Sequence, residues 1–208
     1  MRVLTLLAVL LLVPVVTAAA NGATAAPMTD YLNRLARHRD NVDFRFRDRF
    51  LSPLQEEDRA SFSGLSYYQP APELALPARF DAAPDRSTFA MPTFDRRTVR
   101  YSHQGTLTVR IEGQTVRLKA FRREEAQGRN DFLLVPFRDA TNGTETYAGG
   151  RYIELSLPLP AKLVLDFNHA ANPLCAYDPS YACPIPPPEN RLSLPIRAGE
   201  KQYRPFAP

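Results

Sequence analysis

Residues 106–121 read TLTVRIEGQTVRLKAF, and no other stretch limits the fold so tightly. Leu107, Val109 and Ile111 alternate with threonine, arginine and glutamate, then Val116, Leu118 and Ala120 alternate with arginine and lysine. A period of two sends one set of side chains to a buried face and the other to water. Glu112-Gly113-Gln114 stands between the two runs, so they pair as a β-hairpin. Five more short runs speak the same language: TVRYSH, FLLVPF, RYIELSL, KLVLDF and RLSLPI, separated by Gly, Asn, Asp or Pro. Many short strands without helices between them favour an antiparallel arrangement. The chain has 20 prolines, which break long helices and sheet ladders alike and leave strands, turns and irregular loops.

Upstream the period changes. Tyr31, Leu32, Leu35, Val42, Phe46 and Phe50 lie at helical spacing, and Thr29 or Asp30 can cap the start. The polar face of this helix carries Arg34, Arg37, His38 and Asp40, read as a solubilising surface. In SPLQEEDRASFSGL, Ser52 can cap, Pro53 suits the first helical position and Gln55 follows three residues after the cap, so a short second helix ends before Gly64. SYYQPAPELALPAR reads as a surface connection. The expected fold is α+β, mainly β: an N-terminal amphipathic helix packed on an antiparallel β-sandwich or half-open barrel.

The first residues bear on compartment. Arg2 precedes the apolar run VLTLLAVLLLVPVV, and two Ala-x-Ala triplets follow, Ala18-Ala19-Ala20 and Ala23-Thr24-Ala25. One positive charge, an apolar core and small residues before a cut make a secretory signal peptide over residues 1–25. Pro14 interrupts a run already shorter than the roughly 20 residues a spanning helix needs. The expected product is exported, periplasmic or extracellular, with no transmembrane segment in the mature chain. It is one globular domain over 26–208, helical over 26–64 and β-rich over 79–208. Arg45, Arg47 and Arg49 interleave with Phe44, Phe46 and Phe50, but Asp43 and Asp48 dilute the charge and the net charge is only +4. A solvated face explains this better than nucleic-acid binding.

Two polar segments are too rich in special residues to be idle connections. PFRDATNGTETYAGGRYIEL gathers Asp139, Thr141, Glu145, Thr146, Tyr147 and Arg151 around the turn signal Asn142-Gly143 and the pair Gly149-Gly150. DATNG lacks the alternating acids and closing glutamate of a calcium loop and reads as a turn. Arg151 either pairs with a nearby carboxylate or, at a barrel mouth, clamps an anion with its planar fork. LDFNHAANPLCAYDPSYACPIPPPEN places Asp166 at a strand end, with Asn168, Asn172, Asn190, Tyr177 and Tyr181 after it. It also holds both cysteines, Cys175 and Cys183. In an exported chain a disulfide between them is the default. A metal site with His169 and Asp166, or a nucleophilic cysteine with His169 as base, are the other readings. No metal or cofactor is expected. Asp166 with Glu145 or Glu200 could serve as acid and base in hydrolysis, were the carboxylates suitably spaced at one rim.

The order of PFRDATNGTETYAGGRYIEL, LDFNHAANPLCAY, CPIPPPEN and IRAGE, with SPL, SGLSYY and RLARHRD upstream, resembles a bacterial family known as domain of unknown function 1684. The resemblance runs from about Tyr31 to Lys201. It implies no activity. It does imply that the two polar segments form one site, joining Asp139, Thr141, Thr146, Tyr147, Gly150 and Arg151 to Asp166, Asn168, Asn172, Cys175, Tyr177 and Cys183. The chain departs from the family pattern at His169 and Ala171. The expected function is a binding or accessory domain for a small anionic ligand, clamped by Arg151 and oriented by Tyr147, Tyr177, Asn168 and Asp166. The alternatives are the hydrolase and a structural envelope protein.

Overall fold

In the computed structural model, which describes residues 22–124 and 131–203, the period-two pattern builds one large sheet. In chain order the strands are β1 (Ala75–Pro77), β2 (Arg79–Ala82), β3 (Thr88–Pro92), β4 (Thr98–Ile111), β5 (Gln114–Arg123), β6 (Phe132–Phe137), β7 (Arg151–Ser156) and β8 (Val164–Asp166). The expected signal peptide lies, up to residue 21, outside the described residues. β4 and β5 form the expected hairpin, with Ile111 paired to Gln114 and positive φ at both Glu112 and Gly113. That backbone matches the right-handed twist of the flanking strands.

TVRYSH and TLTVRI, read as two strands, are one 14-residue strand, β4, with an irregularity between His103 and Gly105. The break lets two short strands share one edge: β2 pairs with residues 105–108 and β3 with 98–102. Gly105 is required there, because a Cβ would stand 2.4 Å from the Phe80 ring and 2.5 Å from the Asp81 carbonyl. The sheet order is β2-β4-β5-β6-β7, all antiparallel, and a separate two-stranded sheet joins β1 to β8. The sheets are open and no barrel closes, and the fold is the expected α+β, mainly β. Leu107, Val109, Leu118, Val135, Phe137 and Ile153 form the main core with Leu165, Phe167 and Ile196. A second cluster of Met91, Tyr101, Phe121 and Leu134 occupies the other side of the same strands.

RLSLPI is not a strand. Arg191 makes one parallel bridge to Arg138, and residues 190–194 run alongside 138–140 through Arg138 N to Asn190 O (3.0 Å), Leu192 N to Arg138 O (2.8 Å) and Ala140 N to Leu194 O (3.2 Å). Asn190 explains why the strip docks here. β5 and β6 pair at Phe121 and Leu134, so Lys119 faces Pro136, which has no N–H to offer. The buried Asn190 amide fills the gap: Oδ1 accepts from Lys119 N (2.7 Å), and Nδ2 donates to Lys119 O (2.9 Å) and Pro136 O (2.7 Å). Asn190→Ala is expected to lose about 2 kcal/mol of folding stability by orphaning these backbone groups. A change below about 0.5 kcal/mol in urea denaturation would remove this role.

The first helix, α1 (Gly22–Arg47), buries Leu35 and Phe46 as its stripe requires, but Leu32 is exposed. Phe50 lies beyond the helix and is 87% exposed, because the Asp48 carboxylate accepts from Phe50 N and Leu51 N and turns the chain outward. Phe46 packs with Leu54 and Tyr177, so this part of α1 rests on the chain after β8 and not on the sheet face. The second helix, α2 (Glu56–Ala60), is five residues long and begins after Pro53, while Ser52 Oγ accepts from Leu54 N. The SYYQPAPELALPAR connection is not merely superficial: it contains β1, and Ala71 joins the core.

Candidate functional site

The expected rim is largely interior. Asp139, Thr141, Thr146, Arg151, Asn168, Asn172 and Tyr177 are all buried, while Tyr147 and Asp166 are partly exposed. Arg151, the expected anion clamp, is 0% exposed. It starts β7 directly after Gly150, whose φ of 99° and 2.5 Å approach of a would-be Cβ to Phe137 O exclude a side chain. Its Nη2 donates to Asp139 Oδ2 (2.8 Å) and Ile196 O (2.7 Å), and its Nη1 donates to Ala198 O and Glu200 O. Asp139 Oδ1 accepts from Thr141 N, Thr141 Oγ1 and Ile196 N. Of the two sequence readings of Arg151, the geometry is that of the paired arginine. It fastens the 196–200 segment to the sheet and presents no fork to solvent.

The two polar segments do meet, through that same segment. Glu200 Oε2 accepts from Asn172 N (2.7 Å) and Tyr177 Oη (2.6 Å), and Asn172 Nδ2 donates to Lys201 O (2.8 Å). Tyr147 Oη lies 4.0 Å from Cys175 Sγ. Glu145 is elsewhere, its carboxylate held by Arg197 (2.8 Å) and Tyr68 (3.0 Å). Glu200 is buried and Glu145 is ion-paired, so neither offers an open acid or base beside Asp166. Burial pushes the Glu200 carboxyl up to about 7, against the lowering effect of its Tyr177 and Asn172 hydrogen bonds.

A different face of Asp166 carries the unexplained chemistry. Its Oδ1 accepts from Asn168 N and Nδ2 (2.9 Å each), and Tyr31 of α1 donates to Oδ2 (3.0 Å). His169 Nε2 stands 3.7 Å from the same oxygen, and the His169 ring meets His38 of α1 edge-on at 4.4 Å. Both imidazoles are held below their ordinary range, first by loss of water around the rings. Arg39 lies over the Tyr67 ring at 4.5 Å, yet its Nε and Nη2, and the Tyr67 hydroxyl, are covered and have no hydrogen-bond partner. Loss of water draws the Arg39 guanidinium below its ordinary range, and Tyr67, Tyr31, Asp166 and Glu200 act against that. Sequence reasoning placed Tyr31 on the apolar stripe and His38 on a solubilising face, and passed over Arg39 and Tyr67. One signal was present: Arg39 sits between Leu35 and Val42 at the core-facing spacing of the helix, where a charge demands a partner.

Cys175 and Cys183 are both free thiols, so the expected covalent staple is absent as a bond. They are nonetheless neighbours, with Cys175 N donating to Cys183 Sγ at 3.1 Å. Among the described residues no group of three or more His, Cys, Asp or Glu side chains could hold a metal ion, and no helix is long and apolar enough to cross a membrane. Two surface depressions, of about 420 and 410 Å³, are not lined by Asp166: one lies over the outer face of β4 and β5 at Thr108 and Lys119, the other beside Leu74 and Arg110.

The family described as "Protein of unknown function (DUF1684)" matches residues 60–201. The chain belongs to that family. Within the DUF1684 match lie Arg151, Asp166, Glu200 and both cysteines, whereas Tyr31, His38 and Arg39 precede it. A similar solved structure is the solution NMR structure of the uncharacterized protein from gene locus rrnAC0354 of Haloarcula marismortui. It is 37% identical, with 85% of this chain and 96% of that chain covered and a TM-score of 0.66. No curated protein matches this DUF1684 member.

Proposed function

We propose that the protein is an exported binding domain for a small anionic solute, seated where α1 crosses the turn after β8. The observation that carries this reading is the Arg39 guanidinium, with two covered N–H-bearing nitrogens and no acceptor, beside an equally unpartnered Tyr67 hydroxyl. Covered N–H groups without an acceptor cost stability, and such costs are kept where a ligand supplies the missing acceptor. The carboxylate or phosphate oxygens of a ligand match that fork. Tyr31, His38 and His169 flank the position, and Asp166 holds Tyr31 and so the helix in register. Asn172 and Tyr177 act one layer further in, as supports of Glu200. Export rests on the leader over residues 1–25, and N-terminal sequencing of the secreted product is expected to begin at Ala26.

The binding test is thermal denaturation of the mature protein with inorganic phosphate, sulfate, citrate and small dicarboxylates. An occupant at a hundredfold its dissociation constant adds about 2.7 kcal/mol, a rise of roughly 5–10 °C for a chain of this size. Arg39→Gln is expected to abolish that rise while leaving the unliganded melting temperature unchanged or higher, since it removes two covered donors that have no acceptor. If Arg39→Gln instead melts several degrees lower without ligand, Arg39 is structural and the proposal is wrong. Turnover of an ester or glycoside at this position would favour the hydrolase reading.

A further inference from the structure

We propose that Cys175 and Cys183 form a thiol-exchange site that closes reversibly to a disulfide by reaction with a small-molecule disulfide. This stands apart from the anion reading, since none of the residues at the α1 crossing takes part. Cys175 lies in the 3-10 turn Leu174–Ala176 and is partly exposed, whereas Cys183 is 6% exposed. The Cys175 backbone N–H points at the Cys183 sulfur, 3.1 Å away. That N–H favours a thiolate at Cys183, the sulfur that makes the second, internal attack. The Cys175 thiol is pushed up, first through its nearness to the Cys183 sulfur and then by burial, so the first attack is the slow step.

The backbone around the pair is already fastened. Phe94 N donates to Cys183 O (3.1 Å), Ile185 N to Pro92 O (2.9 Å) and Arg97 Nη2 to Ser180 O (2.9 Å). At the other end Asp178 N and Tyr177 N both donate to Leu174 O (3.0 Å each). Both ends of the 175–183 loop are therefore held independently of the sulfurs. Such preorganisation favours an internal second step over a lasting mixed disulfide.

The steps balance with an external disulfide, RSSR, as oxidant. Cys175, the reachable sulfur, gives up its proton and attacks one sulfur of RSSR, and RS⁻ leaves and takes up a proton. Cys183 Sγ then attacks Cys175 Sγ and displaces the second RS⁻, which takes the proton Cys183 releases. One S–S bond has formed in the protein, one has broken in the oxidant, and two electrons have passed to give two RSH.

The experiment is incubation of the purified full-length protein with oxidised glutathione, acid quenching and intact mass measurement. Wild type is expected to lose the mass of two hydrogens and to carry no glutathione, and added reduced glutathione restores the dithiol. Cys183→Ser is expected to accumulate a glutathione adduct at Cys175. Cys175→Ser is expected to react roughly tenfold more slowly than Cys183→Ser, because its remaining sulfur is buried. The proposal is overturned if folded wild type keeps both thiols while the urea-unfolded chain oxidises, or if it comes to rest as a stable adduct. Those two wild-type outcomes decide the matter even if neither variant folds.

Discussion

Arg151→Ala is expected to cost about 3–5 kcal/mol of folding stability, a large share of the roughly 5–15 kcal/mol that holds a domain of this kind. The substitution leaves the Asp139 carboxylate buried without its countercharge and strips donors from the carbonyls of Ile196, Ala198 and Glu200. Each loss is a desolvation penalty that water cannot relieve at a position with no solvent exposure. With no tryptophan in the chain, far-UV circular dichroism in urea is the suitable probe. Asp139→Asn is also expected to destabilise, because its amide has one oxygen where Asp139 uses two: turned to Arg151, it leaves Nδ2 facing Thr141 N and Ile196 N. The double variant is expected to fall short of the sum of the two singles by more than about 1 kcal/mol, the mark of a coupled pair. An Arg151→Ala protein that folds with near-native stability would make the arginine free for a ligand after all and would refute its structural assignment.

Glu200 governs the second large effect, which is one of pH. Its carboxyl is pushed up from an ordinary 4.5 to about 7 in the folded chain. Below pH 4.5 the folded and unfolded forms are both protonated there, and the group contributes no difference. Between about 4.5 and 7 the unfolded form ionises while the folded form holds its proton, so ionisation favours unfolding and stability falls as pH rises. Above about 7 both are ionised, and the accumulated loss is about 3 kcal/mol. Carboxylates held below their ordinary range, such as Glu145 beside Arg197, stabilise in the opposite direction as pH rises. The difference between wild type and Glu200→Gln isolates the buried group. That variant, which keeps an acceptor for Tyr177 and Asn172, is expected to gain on wild type from pH 5 to pH 8. A difference that stays flat across this range would mean that Glu200 titrates normally.

The local pattern of the chain determined the elements, and three-dimensional proximity determined their roles. Alternation at Leu107, Val109, Leu118 and Ala120 specified the hairpin because side-chain direction in a strand depends only on parity. Helical spacing likewise specified α1 and its buried Leu35 and Phe46. Proline and glycine marked where ladders stop, and the ordered motifs from Asp139 to Glu200 were enough to identify the family. Strand character in RLSLPI was misleading, because pairing depends on a neighbour: the strip found Arg138 and the gap opposite Pro136. Arg151 looked equally apt as a clamp for a ligand or for the chain itself. Only the arrival of the 196–200 carbonyls, some 45 residues away, made it internal. Arg39 was the converse, a charge on a core-facing stripe whose lack of a partner exists only once Tyr67 and the turn after β8 have closed over it. Whether a polar group is satisfied is a property of its surroundings in space, and spacing along the chain does not encode those surroundings.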